Sequence, residues 1–289
     1  MIMDPIIAIF LFCLGAAIGS FLNVCIYRMP RKESVVRPPS HCPHCQHKIA
    51  WYDNIPFLSY ILLKGRCRHC QKGISFRYFV VELITAALFV VLFNRFGLTL
   101  DYVMFTLFSC GLIVASFIDL DYRIIPDEVS IGLLLFALVI NLLRSFAQFY
   151  RFPEVPIIDS LFGAIFGSGL TYVVAAIFNF FLFVVIGRIY QLFGKEFYLT
   201  KEFKDEEELT CMGGGDVSLM AMIGAFLGWR LALVTFFVAP FFGAVVGLYI
   251  LLKKRSHLIP YGPFLSLAAL VALLWGEDII RWTIILVAG

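Results

Sequence analysis

Apolar runs of roughly 17–25 residues recur along this 289-residue chain, and each is about the length a helix needs to cross a bilayer. That recurrence constrains the fold more than any other feature. Hydrophobic residues make up 61% of the chain and charged residues only 15%, with a mean hydropathy of +0.91. A water-soluble domain is about half apolar and a quarter charged. No core of this size could hide the surplus, so most of the surface must face lipid. The reading is an all-α, polytopic membrane bundle of about eight spans, near 5–27, 78–97, 100–119, 128–147, 158–190, 215–232, 233–252 and 262–287. The fifth run is too long for one straight crossing and is expected to tilt, break near Gly163, Gly167 and Gly169, or leave the membrane as helix. Gly163 and Gly167 also fit the small-xxx-small pattern of close helix packing.

The first run lacks a basic segment before it, whereas Arg28, Arg31, Lys32 and Arg37 follow it. That order describes a retained anchor rather than a cleaved signal. With the N-terminus outside, 18 of the 23 Lys and Arg fall on the cytosolic side, ten of them between Arg28 and Arg77. Basic residues resist translocation, so the asymmetry sets the orientation. Two hydrophilic segments then face the cytosol: 28–77, and 194–214 with its acidic run Asp205, Glu206, Glu207 and Glu208. The net charge of +3 is uninformative, and no nucleic-acid partner is expected.

Within the first segment stand Cys42-Pro-His-Cys45 and Cys67-Arg-His-Cys70, separated by 21 residues. Two such turns supply the four thiolates that a structural zinc takes in tetrahedral geometry. A redox role for the two pairs is the rival reading, but it belongs to an oxidising compartment. His41, His44, His47 and His69 lie here too, and any could replace a thiol or simply be an exposed loop histidine. Cys13, Cys25, Cys110 and Cys211 have no paired spacing and read as packing residues or incidental thiols.

Carboxylates in or at the edge of a span are expensive in lipid and are functional candidates by default. Asp119 lies within the third apolar run. Asp121 is roughly 200° further round a helix, so the two cannot share a face. Asp127 follows Pro126, where it would cap the next helix. Met212-Gly213-Gly214-Gly215-Asp216 opens the sixth span, and the glycines there allow close backbone approach. Asp216 could equally cap its own helix. By the topology, Asp119 and Asp216 belong to the same membrane face. Such a carboxyl pair can share one proton, activate water with one group and protonate a scissile carbonyl with the other.

In order along the chain come Gly19-Ser20-Phe21-Leu22-Asn23-Val24 with Tyr27-Arg28-Met29-Pro30, the two Cys-x-x-Cys pairs, Arg77-Tyr78 with Val81-Glu82-Leu83, Asp119 with Ile125-Pro126-Asp127, and Gly213-x-Gly215-Asp216. Together these resemble the signatures of the type IV prepilin peptidases over nearly the whole chain. The resemblance implies a bifunctional enzyme of the bacterial inner membrane with a periplasmic N-terminus. Such an enzyme cuts the basic leader of prepilins and pseudopilins after a glycine. It then methylates the new N-terminal amine with S-adenosylmethionine. It implies Asp119 and Asp216 as the catalytic acids, Gly213 and Gly215 as support for the catalytic turn, and Cys42, Cys45, Cys67 and Cys70 as the zinc ligands. Asp119 rather than Asp121 takes the role because the pattern places the acid seven residues before the proline.

Glu82 and Asn23 are candidates for contact with the methyl donor, or ordinary interfacial polar residues. The implied organisation is a first helix (1–27), a zinc loop within the methyltransferase region (28–77), and a peptidase bundle (78–289) with the loop 194–214. Ser218 replaces the lysine usual two positions after the acid, Phe79 replaces a proline, and 194–214 looks longer than in many members. The acidic run could attract a basic leader or be merely a solvated loop. A methyltransferase without peptidase activity, or a zinc-bearing scaffold for pilus or secretion assembly, remain the competing readings.

Overall fold

The computed structural model describes residues 4–147, 155–181, 213–253 and 260–288. The described residues are helical, with no strand beyond two isolated bridges. Among the described residues, seven helices are long and apolar enough to cross a membrane, which makes this a multi-pass membrane protein. The chain forms two compact units, Met1–Val129 and Ser130–Gly289.

In the first unit α1 (Pro5–Arg28) starts on Pro5, behind an Asp4 cap whose carboxylate accepts from the Ile6 N–H at 2.9 Å. Its buried stripe Leu11, Gly15, Gly19, Leu22 and Ile26 recurs every three or four residues and packs on α3 (Arg77–Phe96). A Cβ at Gly15 would fall 2.8 Å from the Ala86 Cα, and one at Gly19 would fall 2.7 Å from the Glu82 Cα. Only glycine lets these backbones approach so closely. The third long helix, α4 (Leu100–Tyr122), is capped by Thr99 and packs on both. It ends where Arg123 turns to φ 57° and its N–H bonds the Asp119 carbonyl at 2.9 Å. Between α1 and α3 lies a small lobe that carries the short helix α2 (Leu58–Leu62).

The second unit holds most of α5 (Asp127–Ala147), with α6 (Ile157–Phe180), α7 (Gly214–Leu252) and α8 (Gly262–Ala288). Helix α6 runs unbroken through Gly163, Gly167 and Gly169, so the expected break there does not occur. Instead, Gly163 meets Gly224 of α7 backbone to backbone, and Gly167 faces the Met220 carbonyl. The remainder of the expected fifth span, beyond residue 181, lies outside the described residues, as does the acidic run 205–208.

The division between the sixth and seventh spans falls at Gly228 (φ 76°, ψ 170°), not at 232–233 as the sequence suggested. Hydropathy is continuous through this stretch and carries no information about dihedral angles, so only the glycine marks the break. An unbroken helix would satisfy the Ala225 carbonyl with the Trp229 N–H. Here the Ser160 hydroxyl of α6 donates to that carbonyl at 2.6 Å, and the Asn141 amide of α5 donates to it at 3.4 Å and to Ser160 at 3.2 Å. All of these side chains are buried. The break is therefore capped from neighbouring helices, as lipid requires.

Gly224→Ala drives a methyl group into the Gly163 carbonyl and is expected to cost more than roughly 2 kcal/mol. Gly169 faces open space, so Gly169→Ala should be neutral or stabilising by up to about 1 kcal/mol. Thermal unfolding of the two variants in detergent checks the contrast.

Candidate functional site

The two cysteine pairs fold into the same local structure twice, 25 residues apart. In the first, the Cys42 N–H donates to the His47 carbonyl and the Gln46 N–H to the Cys42 carbonyl, both at 2.9 Å. In the second, the Cys67 N–H donates to Lys72 at 2.9 Å and the Gln71 N–H to Cys67 at 3.0 Å. Gln46 and Gln71 both adopt φ 57°, which turns each chain back beneath its thiols. Each turn is closed by one antiparallel bridge, His41 with Lys48 and Arg66 with Gly73.

The four sulfurs lie within 4.8 Å of one another, with Cys42 and Cys70 at 3.8 Å and Cys45 and Cys67 at 4.0 Å. Four ligands around an ion at 2.3 Å in a tetrahedron stand about 3.8 Å apart. The donor set thus suits a tetrahedral metal, and no histidine belongs to it. Two of the thiols are pulled in opposite directions. Backbone N–H groups of Cys70 and His69 bring Cys67 down to about 7. Cys45 goes up to about 11: the His47 N–H favours its thiolate, but desolvation and the three neighbouring thiols outweigh that. A cation among the sulfurs removes the conflict.

Ties outside the sulfurs fix the lobe. Arg68 grips Asp53 through both carboxylate oxygens, at 2.6 and 2.8 Å, and holds that carboxyl below its usual range. Arg28, which the sequence offered as a topology signal and as part of the opening signature, is buried and donates to the carbonyls of Ser34 and Pro38 at 2.9 and 2.8 Å.

A cavity of about 420 Å³ lies between this lobe, α1 and α3, a size suited to a small organic ligand. Asn23, Tyr27, Arg31, His41, Asp53 and Glu82 are among its walls. Asn23 is 2% exposed, and its amide donates to the Tyr78 carbonyl at 3.0 Å. Its Oδ1 is buried without a partner, which leaves an acceptor for a ligand N–H or O–H. Glu82, also buried, accepts from the Phe57 N–H at 3.0 Å.

Asp119 is buried in the last turn of α4, in the first unit. Asp121, pointing elsewhere as its helical offset requires, forms an ion pair with Arg77 at the head of α3. Asp127 is the first residue of α5 rather than its cap, still in the turn where a carboxylate complements the helix dipole. In the second unit Gly213 is exposed and Gly215 partly so, while Asp216 is 8% exposed. The Gly213 N–H donates to the Asp216 carboxylate and the Asp216 N–H to the Gly213 carbonyl, both at 3.1 Å. Only the N3 half of a capping box is present, since the glycine cap has no side chain to return the bond: the Asp216 carboxylate closes the first turn of its own helix by accepting from the Gly213 N–H.

Ser218, where lysine was expected, donates to the Gly215 carbonyl at 3.0 Å and lies 3.0 Å from the buried Ser130 hydroxyl of α5. It braces the turn without adding charge. Tyr261, just before α8, was missed. Burial and then the charge of Asp216 push its hydroxyl up to about 12, so it stays a donor near that acid. The only signal for it is its bracket of Pro260, Gly262 and Pro263.

Comparison with known proteins places the chain in a family. Residues 13–96 match the bacterial peptidase A24 N-terminal domain, and residues 106–248 match the type IV leader peptidase family. Three curated relatives are each named prepilin leader peptidase/N-methyltransferase. The Aeromonas salmonicida protein is 34% identical over 95% of this chain and 92% of its own length. The Pseudomonas aeruginosa protein is 33% identical over 93% and 90%. The Myxococcus xanthus protein is 38% identical over 86% of this chain, which covers 64% of that longer protein, less than two thirds. No solved structure matches.

Replacing Cys42 or Cys67 by serine should abolish the bound metal, about one equivalent per chain, while His44→Ala and His69→Ala retain it. Elemental analysis of purified protein reads the difference.

Proposed function

Because this chain belongs to the type IV leader peptidase family, we propose that it cleaves the basic leader of prepilins and pseudopilins after a glycine and then methylates the new N-terminal amine. The reading places it in the bacterial inner membrane, with a periplasmic N-terminus and its chemistry at the cytosolic face. The observation that carries the peptidase half is a pair of buried carboxylates at helix ends, Asp119 closing α4 and Asp216 opening α7. A buried acid in a membrane helix is costly to keep without a task.

In the proposed reaction one carboxylate takes a proton from water as its oxygen attacks the scissile carbonyl. The other, protonated, donates to the carbonyl oxygen. Collapse breaks the C–N bond and releases the mature amine with a proton restored to it. Gly213 and Gly215 let substrate backbone approach the Asp216 turn, and Ser130, Ser218 and Tyr261 steady it. The acidic run 205–208 offers complementary charge to a basic leader.

The methyl-transfer half belongs to the first unit. The ion at the four cysteines is zinc in this reading, a structural brace for the lobe that walls the cavity. S-adenosylmethionine would supply an electrophilic methyl group there. The unpartnered Asn23 Oδ1 and the Glu82 carboxylate offer acceptors to N–H groups of the bound reactants. This extends the proposed methyltransferase region from 28–77 to the facing sides of α1 and α3, and leaves the rest of 78–289 as the bundle bearing both acids.

Asp119→Asn and Asp216→Asn should each reduce leader cleavage by at least about 100-fold. Both should still methylate a pilin supplied without its leader, read by intact mass. Full cleavage by either variant sinks the assignment. In turn, Asn23→Leu should lower methylation by about tenfold through loss of one hydrogen-bond acceptor, with cleavage retained. Equal loss of both activities would make Asn23 a packing residue.

A further inference from the structure

The stretch between the two cysteine pairs reads in sequence as part of a hydrophilic loop, yet its middle is apolar: Ile55-Pro-Phe-Leu-Ser-Tyr-Ile-Leu-Leu63. Phe57 is the centre of a γ-turn with positive φ (φ 60°, ψ −54°), closed by the Leu58 N–H on the Pro56 carbonyl at 2.6 Å. This conformation is rare and strained for a residue with a Cβ. The Phe57 N–H is caught by the carboxylate of Glu82, a residue inside the span Arg77–Phe96. Its ring lies 5.6 Å from Phe12 and 5.4 Å from Phe79. Phe12 stands roughly four helical turns before the end of α1, well inside the hydrocarbon. The turn therefore reaches down between two membrane helices.

On the way out, the chain forms α2, whose Leu58, Ile61 and Leu62 are 49%, 61% and 70% exposed. Backbone hydrogen bonding is closed from within, as hydrocarbon demands. The Ile55 N–H donates to the Ser59 hydroxyl, which donates in turn to the Tyr52 carbonyl. The N–H groups of Ser59, Ile61 and Leu63 find carbonyls of Ile55, Phe57 and Ser59. Exposed Trp51 and Tyr52 precede the dip and Lys64, Arg66 and Arg68 follow it, the residue types that sit at the headgroup level. A five-residue helix in water has no reason to persist. Against lipid, all of these features are accounted for.

We infer that residues 55–62 form a re-entrant membrane element, seated by the Glu82–Phe57 bond and presenting Leu58, Ile61 and Leu62 to acyl chains. The lobe with the four cysteines is thereby tethered at the bilayer edge, and the cavity beside it opens next to lipid. The inference is independent of which residues catalyse.

The test uses the intact chain in phosphatidylcholine–phosphatidylglycerol vesicles that contain a phospholipid with a diazirine on its acyl chain. After irradiation and digestion, mass spectrometry maps the adducts. Residues 55–62 are expected to label comparably with Ile6 and Ile9 of α1, and at least about tenfold above the cysteine turn 42–50. Background labelling of 55–62 alongside labelled Ile6 and Ile9 overturns the inference. Footprinting by hydroxyl radicals in the aqueous phase reads the converse. Protection of Leu62 supports a lipid contact, and oxidation of Leu62 to the level of the 42–50 turn refutes it.

Discussion

Hydrocarbon offers no hydrogen-bond partner, so each departure from helix in this chain has to be closed by the protein itself. Three such closures organise the structure. At Gly228, Ser160 and Asn141 take over the Ala225 carbonyl where α7 breaks. At the start of α7, Gly213 and Asp216 satisfy each other across the first turn. At Phe57, the N–H of a strained turn is held by Glu82. The last two closures use an acid that the sequence also marks as a chemical candidate. An acid that caps a turn is pinned in position, and a pinned carboxylate is what positioned chemistry needs.

This changes how the candidate acids should be weighed. Capping and catalysis looked like alternatives for Asp216, yet a carboxylate has two oxygens and several lone-pair directions. The contact to the Gly213 N–H therefore does not by itself exclude a chemical role. Glu82 takes the Phe57 N–H and a side-chain hydrogen bond from Ser20, and the cavity lies alongside. Asp121 differs because its charge is already answered by Arg77. Buried Asp119 and ion-paired Asp121, two residues apart, show how helical phase alone assigns different environments to identical side chains.

Features that depend on composition or short spacing could be read from the sequence. The spans follow from hydropathy, and the four sulfurs from two Cys-x-x-Cys turns whose backbone geometry is local. Features that depend on one residue's dihedral or on a distant partner could not. Gly228 reads like Gly163 or Gly224, although the first breaks a helix and the other two let helices touch. Nothing near Phe57 announces Glu82, 25 positions later. Ser218 is a departure from the expected lysine, and its meaning emerges only from Ser130, 88 positions earlier. The 28–77 segment misleads because its many Lys and Arg residues dominate any average over it and hide an apolar centre.

In the proposed function, that apolar centre bears on how cleavage and methylation could share one chain. A freshly exposed pilin N-terminus carries a polar amine on a strongly apolar segment, so neither water nor lipid alone suits it. On the inference that residues 55–62 enter the membrane, a cavity with buried polar acceptors beside that turn offers both environments. If the lobe floated freely in the cytosol, the amine would have to drag its apolar segment into water to be methylated, at about 25 cal/mol for each Å² exposed. Seating the lobe in the membrane removes that cost, which is a physical reason for an apolar dip to lie between two metal-binding turns.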